Sequence, residues 1–159
     1  MPEGLDADHE LIRDLVSSSI LDSDEFRAVE RFIADHPPRL PRAGKRTFYH
    51  AQLLTEIARA RHMFGGDPPL TPEHLAKWVV VTERWPAFAR GVLVDPEILA
   101  RLEAAATGGL LDEELASCAL QLTDVLPLTE LLRGEPELAP LIERLIYFRP
   151  AAPASAATT

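Results

Sequence analysis

A single cysteine, Cys118, is the whole thiol content of the 159 residues. No disulfide can close within the chain, and a reducing, cytoplasmic setting is the default expectation. Long apolar runs are missing too: stretches such as Trp78-Val79-Val80-Val81 fall far short of the roughly 20 residues that cross a bilayer, so no membrane span is expected. The first ten residues are acidic, without the basic start and apolar core of a secretory leader. No alternating apolar and polar stretch of useful length lies between the turn signals, which leaves strands without a pattern. No segment recurs at a constant period.

The chemistry-bearing motifs are equally scarce. A phosphate-cradling loop needs spaced glycines followed by Lys and Ser or Thr, but Gly44-Lys45 is followed by Arg46. Neither CxxC, HxxxH nor HExxH occurs among the cysteine and the five histidines, so no metal site is expected. Ser17-Ser18-Ser19 lacks the glycines of a nucleophile elbow. Cys118 falls on an apolar helical stripe with Leu115, Ala119 and Leu122, the pattern of a core thiol. Asp112-Glu113-Glu114 reads as a charged helix start, because carboxylates favour the positive end of the helix dipole. These absences predict no catalytic residues, no cofactor and no enzymatic activity.

Fourteen prolines punctuate what remains. Thr71-Pro72 and Asp95-Pro96 each place a capping side chain before a proline suited to a first helical turn, and Pro136 is read as opening the last helix. Asp6 or Asp8 can cap a first helix carrying Leu11, Ile12, Leu15 and Val16; Asp22 or Ser23 can cap a second carrying Phe26, Val29, Phe32 and Ile33. A long helix follows from about Pro41 to Gly65-Gly66, with Tyr49, Leu53, Ile57, Ala60 and Phe64 on one face at spacings of 4, 4, 3 and 4. That face is expected to be buried and to organise the rest.

From Thr71 a helix apolar on more than one side reads as sandwiched; Pro86 ends it, and a short turn from Ala87 to Val92 follows. Helices over 96–106 and from Asp112 to about Val125, one or two turns over 128–133 and a last helix from Pro136 complete the pattern. The predicted architecture is all-α, an irregular multi-helix bundle of about seven helices. It forms one domain over 1–149, followed by a tail of Ala, Pro, Ser and Thr over 150–159 that has too little to bury and is expected to be disordered.

The formal net charge of −9 argues against general affinity for nucleic acid. The charge is uneven, however. Residues 39 to 62 hold six basic side chains against one acidic, while the remainder holds ten basic against twenty-four acidic. At the head of the long helix, Arg42 and Arg46 sit one turn apart with Lys45 beside them, suited to an anion. Ion pairing to the acidic body is the competing reading.

The run Leu40-Pro41-Arg42-Ala43-Gly44-Lys45-Arg46, the helix after it, and Leu75-Ala76-Lys77-Trp78-Val79-Val80-Val81-Thr82-Glu83-Arg84-Trp85-Pro86 resemble the C-terminal helical region of KAP-type P-loop NTPases. The segment Leu131 to Leu138 resembles that region's closing part, so the likeness covers about residues 23–149. The resemblance puts the family's Pro-Arg on Pro41-Arg42 and its Lys-Arg on Lys45-Arg46, with Leu40 where the family has Asn. It implies a role for Arg42 or Arg46 near a terminal phosphate. The family's NTPase core would precede this region, and the chain begins some 40 residues before the motif. The expectation is therefore a detached lid, inactive alone, docking on a separate NTPase or other protein chain. The alternative is a helical protein-interaction adaptor with no nucleotide connection, anchored by Trp78, Trp85 or Phe88.

Overall fold

The computed structural model describes residues 23–38, 40–108 and 125–151, with the backbone alone at 41 and 125. The expected helices near 6–16 and 112–125, Cys118 and the end of the tail lie outside the described residues. Within them the chain is all-α: α1 (Asp24–Asp35), α2 (Pro41–Ala60), α3 (Pro72–Arg84), α4 (Pro86–Val94), α5 (Glu97–Ala106), α6 (Val125–Arg133), a 3-10 turn (Ala139–Leu141) and α7 (Ile142–Tyr147).

The organising element is α3, not α2. Leu75 to Val81 are buried without a break, and α3 packs against α1, α2 and α4. A helix covered on three sides needs apolar side chains all round, which is what the run Leu75-Ala76-Lys77-Trp78-Val79-Val80-Val81 supplies except at Lys77. Its start is fixed by Thr71, whose backbone N–H donates to His74 Nδ1 at 3.1 Å, with Thr71 Oγ1 at 2.8 Å from the same nitrogen. His74 stands where a capping box usually has Glu or Gln.

α1 begins as the sequence suggests. Ser23 accepts a hydrogen bond from Phe26 N at 3.1 Å, Asp24 and Glu25 occupy the first turn, and Phe26, Val29 and Ile33 are buried. α2 departs from expectation along its whole length. Its buried positions are Thr47, Ala51, Thr55 and Ala58, again spaced 4, 4 and 3 but two residues out of phase with the predicted seam. Small side chains let α2 approach α1 and α3 closely, and each threonine satisfies its hydroxyl inside its own helix: Thr47 donates to Ala43 O at 2.9 Å and Thr55 to Ala51 O at 2.7 Å. Tyr49 and Leu53 consequently face solvent at 66% and 59% exposure.

The end of α2 is also earlier than predicted. The helix stops at Ala60, and His62 takes the left-handed conformation expected of a glycine. Gly65 and Gly66 instead belong to a loop closed by paired hydrogen bonds between Gly65 and Leu70, with a cis bond at Asp67-Pro68. Arg144 of α7 holds this loop from outside, donating to Met63 O at 2.5 Å, Gly65 O at 2.9 Å and Pro68 O at 2.9 Å. Gly66 has φ +85°, and a Cβ there would come within 3.0 Å of the Arg144 guanidinium.

Pro86 starts a helix where a turn was predicted. Trp85 ends α3 through its N–H to Val81 O at 2.9 Å and begins α4 by accepting from Ala89 N at 2.9 Å. Proline fits the first turn that follows, and Phe88, Ala89 and Val92 supply a buried stripe. Pro136, by contrast, opens no helix. It lies in a cis peptide bond, and helical structure resumes only at Ala139. The cause is long-range: the carbonyls of Leu132, Gly134 and Pro136 all turn inward onto one side chain of α3.

Candidate functional site

The phase of α2 decides what the cationic residues can do. With Thr47, Ala51, Thr55 and Ala58 inward, the opposite face carries Arg42, Arg46, Tyr49 and Leu53 at spacings of 4, 3 and 4. Arg42 and Lys45 are exposed. Arg46 is 69% exposed, but its Nε donates to Glu83 Oε2 of α3 at 2.8 Å. The other oxygen of Glu83 meets His50 Nδ1 at 2.8 Å, so one carboxylate joins two residues a helical turn apart. Arg46 thus follows the ion-pair reading, while Arg42 and Lys45 stay open to an external anion. Arg42 and Arg46 do extend the face of Tyr49 and Leu53 toward the N-terminus, as the spacing predicts, but that face is the outer one and not a buried seam.

Beside this cluster the connection into α2 and the end of α3 leave an open groove of about 360 Å³, lined by Pro38, Leu40, Ala43, Glu83, Trp85 and Pro127 among others. Leu40 is exposed at its edge. The Arg84 guanidinium donates to Pro37 O and fixes the segment that leads into α2. The groove meets α2 only at its head, through Leu40 and Ala43, and α3 at its end, through Glu83 and Trp85.

The aromatic residues named as alternative anchors lie elsewhere. Trp78, Trp85 and Phe88 are all buried in the hydrophobic core. The exposed large apolar side chains are instead Leu40, Tyr49, Leu53, Leu93, Val94, Leu126 and Tyr147. Among the described residues three of these seven are in or next to α2, where the positive charge also sits.

A polar centre absent from the sequence reading lies in the core. Lys77, wholly buried, donates to Gly134 O at 2.6 Å, Pro136 O at 2.8 Å and Leu132 O at 3.2 Å. Its Nζ lies 3.9 Å from Glu103 Oε1. Glu103 accepts in turn from Leu138 N at 2.8 Å and Ala139 N at 2.9 Å, capping the 3-10 turn. Burial pushes the Lys77 ammonium below the usual lysine range, with Glu103 drawing it back. Burial likewise raises the Glu103 carboxyl, against the pull of the two N–H groups. All three donors of the ammonium are engaged by backbone carbonyls, so this lysine fastens the 132–139 segment to α3 and α5. A lysine inside an otherwise apolar seven-residue run was the one signal available beforehand.

His74 has a testable consequence. Its Nδ1 faces both the N–H and the hydroxyl of Thr71 and therefore acts as acceptor, with the proton on Nε2. Burial lowers its pKa from the ordinary histidine value, partly offset by Glu73. In the interval between its folded pKa and about 6.5 the unfolded chain holds more protons, so stability rises with pH there. Stability due to His74 is thus full above 6.5 and falls as the pH drops through that value. His74→Gln, which keeps a capping acceptor without a proton to gain, should flatten this slope in urea titrations between pH 7.5 and 5. The expected amplitude is at most about 1 kcal/mol, the size of a capping contribution.

Among the described residues no helix is long and apolar enough to cross a membrane. No protein-family model, no curated protein and no solved structure matches the chain.

Proposed function

We propose that this chain is a non-catalytic helical docking module and that the outward face of α2 receives its partner. The observation that carries this reading is the exposure of Tyr49 and Leu53 beside Arg42 and Lys45, on a helix whose other face is fully committed to the core. Apolar side chains ringed by cations suit a protein element that presents apolar and acidic groups together.

A more specific form of this reading is the detached lid of a KAP-like NTPase. What favours it is the availability of Arg42 and Lys45 at the head of α2. In that form the anion is a phosphate bound by the partner, and Arg46 contributes by fixing α2 to α3 through Glu83.

Affinity capture with the full chain tests the docking face. Leu53→Asp should leave the thermal midpoint within a few degrees, because the site is exposed, and should cut recovery of the bound partner at least tenfold. Arg42→Ala combined with Lys45→Ala should weaken recovery less at low salt and not at all at high salt. Val94→Asp, on the exposed end of α4, should change nothing. Unaltered recovery with Leu53→Asp, or loss with Val94→Asp instead, overturns the assignment.

A further inference from the structure

We infer that the partner element received by α2 is a single α-helix of another protein, about five turns long, apolar in its middle and acidic at both ends. This rests on the reading of the outward side of α2 as a docking surface and names what binds there.

α2 carries two seams. The first, Thr47, Ala51, Thr55 and Ala58, is buried in a helix that packs against α1 and α3. The second, Tyr49, Leu53, Ile57 and Ala60, repeats at 4, 4 and 3, the periodicity of a helix face that lies against another element. Yet Tyr49, Leu53 and Ala60 are exposed and Ile57 is half-buried. By contrast α3, apolar on more than one side, has a neighbour for each: α1, α2 and α4.

The period of the second seam selects the shape of its cover. Rows of side chains on a helix recur about every 5.4 Å along the axis, and a second helix keeps step with them, each ridge in a groove of the other. A strand offers a side chain to one face about every 6.6 Å and falls out of step within three rows. From Arg42 to Ala60 the axis rises about 27 Å, the length of about 18 helical residues.

Charge selects its chemistry. Arg42 and Lys45 stand exposed at the head of the seam and Arg61 at its end, so the face reads basic, apolar, basic. Glu56 is the one carboxylate between residues 39 and 62, and Arg59 Nη1 already donates to it at 3.4 Å. A second copy of α2 laid along this face would set cations against cations whichever way it ran. An anionic bilayer would repel the remainder of the chain, with its ten basic and twenty-four acidic side chains. A foreign helix with carboxylates at both ends and apolar anchors at i, i+3 or i+4, and i+7 meets all three zones.

The test uses the full chain and a fluorescein-labelled peptide of about 18 residues, with glutamates at both ends and leucines at helical spacing between them. Its anisotropy should rise to saturation, with a Kd at least tenfold below that of a scrambled peptide and of one carrying lysines for the glutamates. Binding should raise the helicity of the peptide in circular dichroism and weaken with salt. Leu53→Asp should weaken it at least tenfold and Val94→Asp should not, while Arg42→Glu with Lys45→Glu should move the preference toward the lysine peptide. Equal binding of the ordered and scrambled peptides overturns the inference, as does a lack of saturation up to about 1 mM. So does a dimer in sedimentation that Leu53→Asp dissociates, which would identify a second copy as the occupant. Retention on phosphatidylserine vesicles that Leu53→Asp abolishes would identify a membrane and overturn it equally. If the peptide fails yet Leu53→Asp still removes the captured partner, the docking face stands and only its helical occupant fails. If the peptide binds as expected but the captured partner is indifferent to Leu53→Asp, helix recognition stands and the docking assignment fails.

Discussion

Lys77→Ala should lower the unfolding free energy by about 3–5 kcal/mol, as measured by chemical denaturation. Removing one member of a buried charged pair leaves the other uncompensated, and costs of that size are usual. The effect is reinforced because the ammonium is the partner of three backbone carbonyls, Leu132, Gly134 and Pro136. An ordinary buried ion pair can often be exchanged for two apolar side chains without loss. Here the exchange fails, since the carbonyls, and the N–H groups of Leu138 and Ala139 bound to Glu103, stay in place whatever replaces the side chains. Lys77→Met should thus recover the packing of the aliphatic stem but only part of the stability. Glu103→Gln, which keeps an acceptor for one of the two N–H groups, should cost about 1–2 kcal/mol. A loss below about 1 kcal/mol for Lys77→Ala would mean that the 132–139 segment is held by its apolar contacts alone.

The same centre explains where the sequence was legible and where it was not. Helices bounded by local chemistry were readable: Ser23 before α1, Thr71-Pro72 before α3 and Asp95, whose Oδ1 accepts from Glu97 N at 3.1 Å, before α5. Each depends on groups within three residues of one another. The stretch after α6 was not readable, because its backbone follows an ammonium contributed from more than fifty residues away. No local pattern around Pro136 encodes that. The seam of α2 failed for a different reason. Counting large apolar residues selects Tyr49, Leu53 and Ile57, whereas close helix contact selects small ones, and alanines and threonines at 47, 51, 55 and 58 carry little hydrophobic signal. The cationic cluster was visible as composition, but its division into Arg46 paired with Glu83 and Arg42 and Lys45 exposed depends on that phase.

Trp78→Ala should be destabilising by about 3–5 kcal/mol, with a fall in thermal midpoint of roughly 10 °C or more. Trp78 is buried on α3, the helix that α1, α2 and α4 all pack against, so truncating it opens a cavity that no single neighbour can collapse to fill. An interface tryptophan behaves otherwise: its loss leaves the folded chain intact and weakens association. The contrast separates the two uses of aromatic surface. Loss of partner with Trp78→Ala or Trp85→Ala would accompany partial unfolding and say nothing of recognition, whereas Tyr49→Asp and Leu53→Asp change the exposed side of α2 at a cost of about 0.5 kcal/mol or less. A Trp78→Ala protein that kept its thermal midpoint while losing its partner would place the docking surface on α3 and take it away from α2.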